Sequence, residues 1–352
     1  MTKQDVFSCC LAGIVLGACC ACSWVGDDAS RSASRLTVPR SKESQMANPS
    51  SFNTRYVRPF GPNAPWNKPV AGLPRHPQSA ALVDHLWNYS ARRPGNFNLS
   101  FSGYTYPVYL ANSTQRAYPV RAPSWCKLNG TQIPWNPDWK PATGSDGQVI
   151  ILDPNSGREW DLWQASFDGA IIRISNGNLV PGSYLIKEDG FKPSRGSGIP
   201  YLAMLVRPEE IAQGKIEHAL SMPSRNTAKA FVAPATKSDG RVTQNGMPMG
   251  TRFALNITDA EIDAWVKSLP SELSDQTRQA ARIIAVALRD YGWFITDTSG
   301  GAHFQFEDNA TAQSKWESLG LGEQSVGWKT YPTDLLDGLL TKARIYAIAP
   351  SD

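Results

Sequence analysis

Apolar positions recur along the chain with two periods, and the shorter one dominates. Residues 104–110, 149–152, 159–164, 170–174, 201–206, 216–222 and 251–255 are brief stretches rich in β-branched or aromatic side chains, bounded by Gly, Pro, Asn or Asp. Such stretches predict strands. The helical period appears at three places. Leu82, His85, Leu86 and Tyr89 share one face of a segment that Arg93-Pro94-Gly95 stops. Thr258 and Glu261 fit a capping box ahead of the stripe Ile262, Trp265, Val266 and Leu269, which Pro270 ends. Ala280, Ile283, Ile284, Ala287, Leu288 and Tyr291 form the third stripe, with Gly292 where a helix end favours positive φ. The pattern returns to strand over 293–296 and 303–306, and a short helix over 335–340 leads into a last strand at 344–348. Many short strands separated by turn residues predict a mainly β fold, a β-sandwich of jelly-roll character, with flanking α-helices.

The N-terminal part carries a different signal. The apolar run LAGIVLGA at 11–18 follows Lys3 and holds about eight residues, too few to cross a bilayer of about 30 Å as a helix. It reads as the core of a signal peptide. Its end, Leu16-Gly17-Ala18-Cys19, resembles the bacterial lipobox, which makes Cys19 the expected lipidation site, with Cys20 and Cys22 as rival acceptors. Residues 1–22 are therefore expected to be a lipoprotein-type signal segment. Residues 23–51, rich in Ser, Arg and Ala without a periodic apolar face, are expected to be a flexible tether, and 52–352 a single domain. Of the 6 cysteines only Cys126 falls in that domain, so neither an intradomain disulfide nor a metal site is implied, and no cofactor is expected. A net charge of +4, from 35 basic and 31 acidic residues, does not suggest nucleic acid as a partner.

The most informative chemistry lies in the segment QVIILDPNSGREWDLWQ, residues 148–164, which reads as a hairpin turning at Pro154-Asn155-Ser156-Gly157. If Asp153 pairs with Arg158, then Ile151 opposes Trp160 and Val149 opposes Leu162 on one apolar face. Glu159, Asp161 and Trp163 then share the other face, with the carboxylates about 6.8 Å apart along the strand. Paired carboxylates beside an indole suit glycoside hydrolysis, in which one group protonates the leaving oxygen and the other activates water or attacks. The spacing Asp153-x-Asn155-x-Gly157-x-Glu159 is also similar to a calcium loop. Its glycine comes one position early, and Gln164 stands where a bidentate Glu belongs, so a plain turn is the simpler reading.

His218 shares a strand face with Ile216, Leu220 and Met222, as a core imidazole would, yet an imidazole at a cleft floor can serve as acid or base. His303 follows the glycine-rich Ser299-Gly300-Gly301 turn and is a second candidate. Trp125, Trp135 and Trp139 sit among prolines at 123–141, where rigidly held indoles could stack on sugar rings. The chain lacks GxSxG, GxGxxG and Walker patterns, which disfavours serine-esterase and nucleotide chemistry.

Gly198-Ile199-Pro200, Leu205-Val206-Arg207 with Glu209 and Glu210, and Gly214-Lys215-Ile216-Glu217-His218-Ala219-Leu220 resemble a block found in uncharacterised secreted bacterial proteins. Met249-Gly250-Thr251-Arg252 and Ala287-Leu288-Arg289-Asp290-Tyr291-Gly292, followed by Asp297, look like further parts of it. The resemblance implies an exported or envelope protein and draws attention to His218 and Arg252, but it brings no activity with it. The resulting expectation is a secreted or lipid-anchored protein that cleaves or binds an extracellular polysaccharide. Asp161, His218, Glu159 and Arg207 are its expected catalytic groups, in a hydrolase or in a lyase that pairs His218 with a tyrosine such as Tyr201. Trp163, Trp125, Trp135, Trp139, Arg252 and His303 are its expected contacts to substrate.

Overall fold

A computed structural model describes residues 56–350 apart from 92 and 188–193; Cys19, the signal segment and the tether lie outside the described residues. The first half of the domain opens with helix α1 (Ser79–Asn88), followed by β1 (Asn98–Ser100), β2 (Val108–Leu110), β3 (Ala117–Arg121) and β4 (Gln132–Pro134). Strands β5 (Val149–Asp153), β6 (Arg158–Trp163), β7 (Ser166–Phe167), β8 (Ile172–Arg173) and β9 (Asn176–Leu179) come next. After the short helix α2 (Pro208–Ala212) come β10 (Leu220–Ser224), β11 (Thr227–Phe231), β12 (Met247–Met249) and β13 (Arg252–Leu255). Helices α3 (Asp259–Ser268) and α4 (Asp275–Asp290) separate β13 from β14 (Trp293–Thr298) and β15 (His303–Gln305). Helix α5 (Asn309–Ser318), β16 (Gln324–Val326), β17 (Lys329–Tyr331) and β18 (Ile345–Ile348) complete the chain.

The fold is mainly β with flanking helices, as the periodicity predicts. Two four-stranded sheets, ordered β2-β5-β6-β9 and β10-β14-β13-β18, share one pattern, a parallel edge pair followed by two antiparallel pairs. A jelly roll pairs its strands antiparallel throughout; here β1 with β15 and β3 with β8 are also parallel, so the sheets are mixed.

Alternation along β5 and β6 sends side chains into two different cores. The predicted register is the observed one, with Val149 opposite Leu162, Ile151 opposite Trp160 and Asp153 opposite Arg158. Val149, Ile151, Trp160 and Leu162 join Tyr118, Ile133 and Trp135 in one core, while Ile150 and Leu152 pack with Tyr106, Tyr201 and Leu202 in another. The hairpin turn is closed by Asp153, whose carboxylate accepts from the Asn155 and Ser156 amides and from the Ser156 hydroxyl at 2.6 Å, so its oxygens serve the turn rather than a cation. The largest core packs α3 and α4 on the β10-β14-β13-β18 sheet through Ile262, Trp265, Ile284 and Leu288. Both caps of the α3 capping box form, Thr258 N donating to Glu261 Oε2 at 2.9 Å and Glu261 N to Thr258 Oγ1 at 3.3 Å. Gly292 follows α4 at φ +69°, and a Cβ there would collide with the Phe253 carbonyl.

Three predicted elements differ. Residues 201–206 form a turn rather than a strand, with Met204 at φ 67°, because the Tyr201 and Leu202 amides donate to side chains of β6 instead of to a neighbouring strand. The strand expected over 216–222 begins only at Leu220, and residues 332–339 turn repeatedly without forming a helix.

Candidate active site

Glu159 and Asp161 do project from the same face of β6, but that face is interior: both are buried, at 0% and 1% exposure. Asp161 Oδ2 accepts from Tyr201 N at 3.0 Å and Glu159 Oε1 from Leu202 N at 2.9 Å, so the pair latches the 201–206 turn. Arg195 clamps the same turn, donating to the carbonyls of Tyr201 and Ala203, both at 2.6 Å. Burial pushes both carboxyls above their ordinary range, Glu159 furthest because the neighbouring Asp161 also opposes its ionisation. Their other oxygens, Glu159 Oε2 and Asp161 Oδ1, are buried, and a proton shared between the two carboxyls would satisfy them.

His218 is equally enclosed. Its Nε2 lies 3.0 Å from Glu210 Oε1 and its Nδ1 2.8 Å from the Ala219 carbonyl. Burial alone would lower its pKa, and the Glu210 carboxylate more than reverses that, leaving His218 above its ordinary value. Glu210 also accepts from Arg207 N at 2.9 Å, while the Arg207 guanidinium pairs with Glu307, and Glu209 reaches Lys315 on α5 at 2.6 Å. This network ties α2 to α5. The expectation that Asp161 and His218 meet at a cleft floor is therefore corrected: each is locked into its own buried set of partners, and neither lines the cavities that His303 and Arg252 border. Glu159 and Arg207 are likewise closed to substrate.

The indoles divide. Trp135 is fully buried, edge-on to Trp139, and cannot stack on a ligand. Trp139 is half-buried and spends one face on Tyr109, ring centroids 4.7 Å apart. Trp125 is exposed at 68%, and Trp163 at 36%. Arg252 and His303 border different cavities.

His303 opens on a cavity of about 480 Å³ that also borders Tyr104, Asp146, Gln148, Asp297 and Gln305. The sheet positions these groups. Strand β14 ends at Asp297-Thr298, the Ser299-Gly300-Gly301 turn reverses the chain, and β15 returns His303 and Gln305 to the same rim. Behind the rim, Ser221 joins Thr296 at 2.7 Å and Gln305 at 2.6 Å, and Gln305 donates to the Tyr104 carbonyl at 3.0 Å, which fixes the wall.

Asp297 is half-buried and hydrogen-bonded to the carboxyl of Asp239. The Gly196 amide donates to Asp297, and a Cβ on Gly196 would overlap Oδ1 of both acids, so only glycine lets the backbone come this close. Thr298 holds the pair from the other side, its amide 2.9 Å from Asp297 Oδ1 and its hydroxyl 2.7 Å from Asp239 Oδ1. Burial first, then the adjacent Asp239, pushes the Asp297 carboxyl up to about 8, so it keeps its proton at neutral pH. His303 shifts the opposite way, burial lowering its pKa, so its imidazole is neutral under the same conditions. Its Nδ1 lies 3.2 Å from the Gly301 carbonyl, and the backbone of Tyr104 holds the ring as well. A protonated acid and a neutral imidazole thus border one cavity, beside a Tyr104 ring exposed at 51%.

The glycine-rich turn signals His303 in the sequence, whereas Asp239 and Asp297 carry no local spacing signal because they meet only in the fold. No group of three or more His, Cys, Asp or Glu among the described residues is arranged to hold a metal ion. No helix among the described residues is long and apolar enough to cross a membrane. The chain matches no protein-family model, and no curated protein or solved structure matches it significantly.

Proposed function

We propose that this protein is a secreted or envelope-anchored enzyme that cleaves a polysaccharide by acid/base catalysis at the Asp297–His303 cavity. The observation that carries the reading is that a hydrogen-bonded Asp297–Asp239 pair and the neutral His303 imidazole border one cavity beside an exposed Tyr104 ring. A volume of about 480 Å³ suits one or two sugar rings, and hydrogen-bonding side chains around an aromatic face are what sugar hydroxyls and the apolar faces of sugar rings require. Asp297 protonates the leaving oxygen, with Asp239 and Thr298 holding the carboxyl in place. The His303 imidazole takes a proton either from water, giving hydrolysis, or from a sugar carbon, giving elimination. The envelope assignment rests on the lipobox-like Leu16-Gly17-Ala18-Cys19, with Cys19 as the lipid-bearing residue, and on the resemblance to secreted bacterial proteins. Under this reading the partners are an extracellular or envelope polysaccharide and, through the lipid, a membrane.

Incubation of the full chain with a panel of neutral and acidic polysaccharides, with products read by mass spectrometry, tests the proposal. Unsaturated ends identify elimination and saturated ends hydrolysis. Cleavage that persists at full rate in both Asp297→Asn and His303→Ala refutes this site. The exposed Trp125 favours a second reading, a non-catalytic glycan binder; retention on immobilised polysaccharide without cleavage, lost in Trp125→Ala, would replace the first.

A further inference from the structure

We propose that a second cavity, beside Arg252, is an anion site that takes a small monocarboxylate with an apolar body. Arg252 sits on β13, an interior strand of its sheet, and is only 8% exposed. Its Nε and Nη2 donate to the Tyr291 carbonyl at 3.2 and 2.7 Å, Nη2 donates to the Lys68 carbonyl at 2.5 Å, and the guanidinium lies 4.9 Å from the Phe294 ring centroid. All of these partners are neutral. Among the described residues no carboxylate lies within ion-pair distance of Arg252, and Nη1 makes no hydrogen bond to any of them. A buried guanidinium without a counter-charge is unusual, because desolvation of the ion is then offset only by dipoles. Burial accordingly draws its pKa down to about 10.

The cavity that Arg252 borders measures about 460 Å³, and Lys68 and His76 border it as well. Lys68 makes no ion pair among the described residues, and the His76 Nδ1 accepts from Gln78 N at 3.0 Å, which places the proton of the neutral ring on Nε2 as a free donor. No Asp or Glu lines the cavity; the rest of the wall is largely proline and aliphatic, including Leu73, Pro74, Val232 and Ile348. Three basic groups at one cavity without an acid select an anion, and the apolar wall selects one with a hydrocarbon body over an inorganic ion. The space accepts a ligand of roughly ten heavy atoms, its carboxylate toward Arg252 and its chain along the prolines.

Titration calorimetry of the full chain with octanoate tests the site, with octanamide and inorganic phosphate as probes that each lack one required feature. Octanoate is expected to bind saturably at one site, with octanamide and phosphate at least about tenfold weaker. Arg252→Gln should weaken octanoate by about tenfold to a hundredfold, the range for losing a charge-assisted hydrogen bond. Since Arg252 also braces the sheet, a Lys68→Gln, His76→Gln double variant at more accessible positions should weaken octanoate by about threefold to tenfold without lowering the melting temperature. Absence of saturable octanoate binding, equal binding of octanamide or phosphate, or unchanged affinity in the double variant overturns the proposal.

Discussion

Two acid pairs in this chain are built by the same physics and differ in access. Glu159 with Asp161, and Asp297 with Asp239, are each neighbouring acids in which burial and a like neighbour raise one carboxyl above its ordinary range, Asp297 to about 8. The first lies at 0% and 1% exposure and spends its outer oxygens on the amides of Leu202 and Tyr201, so it is a latch that shapes a turn. The second sits at a cavity rim, one member half-buried and the other exposed, braced by Gly196 and Thr298. A raised carboxyl pKa is therefore a poor guide to catalysis by itself; what separates the two pairs is whether a reacting atom can reach the proton.

The largest expected effect breaks or sustains that distinction directly. Asp297→Asn should reduce polysaccharide cleavage by about 10² to 10⁴ with little change in melting temperature, because it removes the acid from an accessible rim. In wild type, cleavage should fall as pH rises through about 8, where Asp297 loses its proton. Steady-state rates against pH check both statements, and a rate in Asp297→Asn within threefold of wild type would place the chemistry elsewhere.

The latch should respond in stability instead. Asp161→Ala leaves the buried Tyr201 amide without an acceptor, which costs about 1–3 kcal/mol. For a domain of this size that is a drop of several degrees in melting temperature, at about 2–4 °C per kcal/mol. Activity per folded molecule should be retained.

The sequence showed the latch strand but not its role. Alternation along 149–162 and the Pro154-Asn155-Ser156-Gly157 turn determined the β5–β6 register, since any one-residue slip would exchange the apolar and acidic faces. That the acidic face is interior was not legible, because its cover is the 201–206 turn, whose apolar residues read locally as a strand. The cap of α3 was legible because capping is local: Thr258 and Glu261 settle it between themselves. Asp239 and Asp297 come from a loop and a strand end brought together by Gly196, a contact with no local period.

The pH dependence of stability sharpens the comparison, because both pairs act with the same sign. A carboxyl held above its ordinary value keeps its proton in the fold while the unfolded chain has lost it. The unfolded state then binds fewer protons, and stability falls as pH rises from the unfolded value of about 4 to the folded one. For Asp297 that window closes at about 8. Thermal melts at several pH values should show a declining melting temperature across it, shallower in Asp297→Asn. A slope unchanged by that substitution would show that Asp297 is ionised in the fold.

The smallest expected effect is also the most discriminating about the latch. If Glu159 carries the shared proton, its carboxyl already resembles an amide. In Glu159→Gln the Oε1 can still accept from Leu202 N, and the new NH₂ can donate to Asp161 where the acid proton did. The substitution should change stability by less than about 0.5 kcal/mol, the scale of an isosteric swap that keeps its hydrogen bonds, and should leave cleavage intact. It should also flatten the part of the pH-dependent loss that belongs to this pair, because Gln cannot titrate. Asp161→Asn in the same background presents an amide to an amide and should be the less stable of the two variants, since the residue meant to accept now brings donors of its own. A loss above about 2 kcal/mol in Glu159→Gln alone would mean that Glu159 is ionised in the fold, and the likeness between the two acid pairs would then end at their geometry.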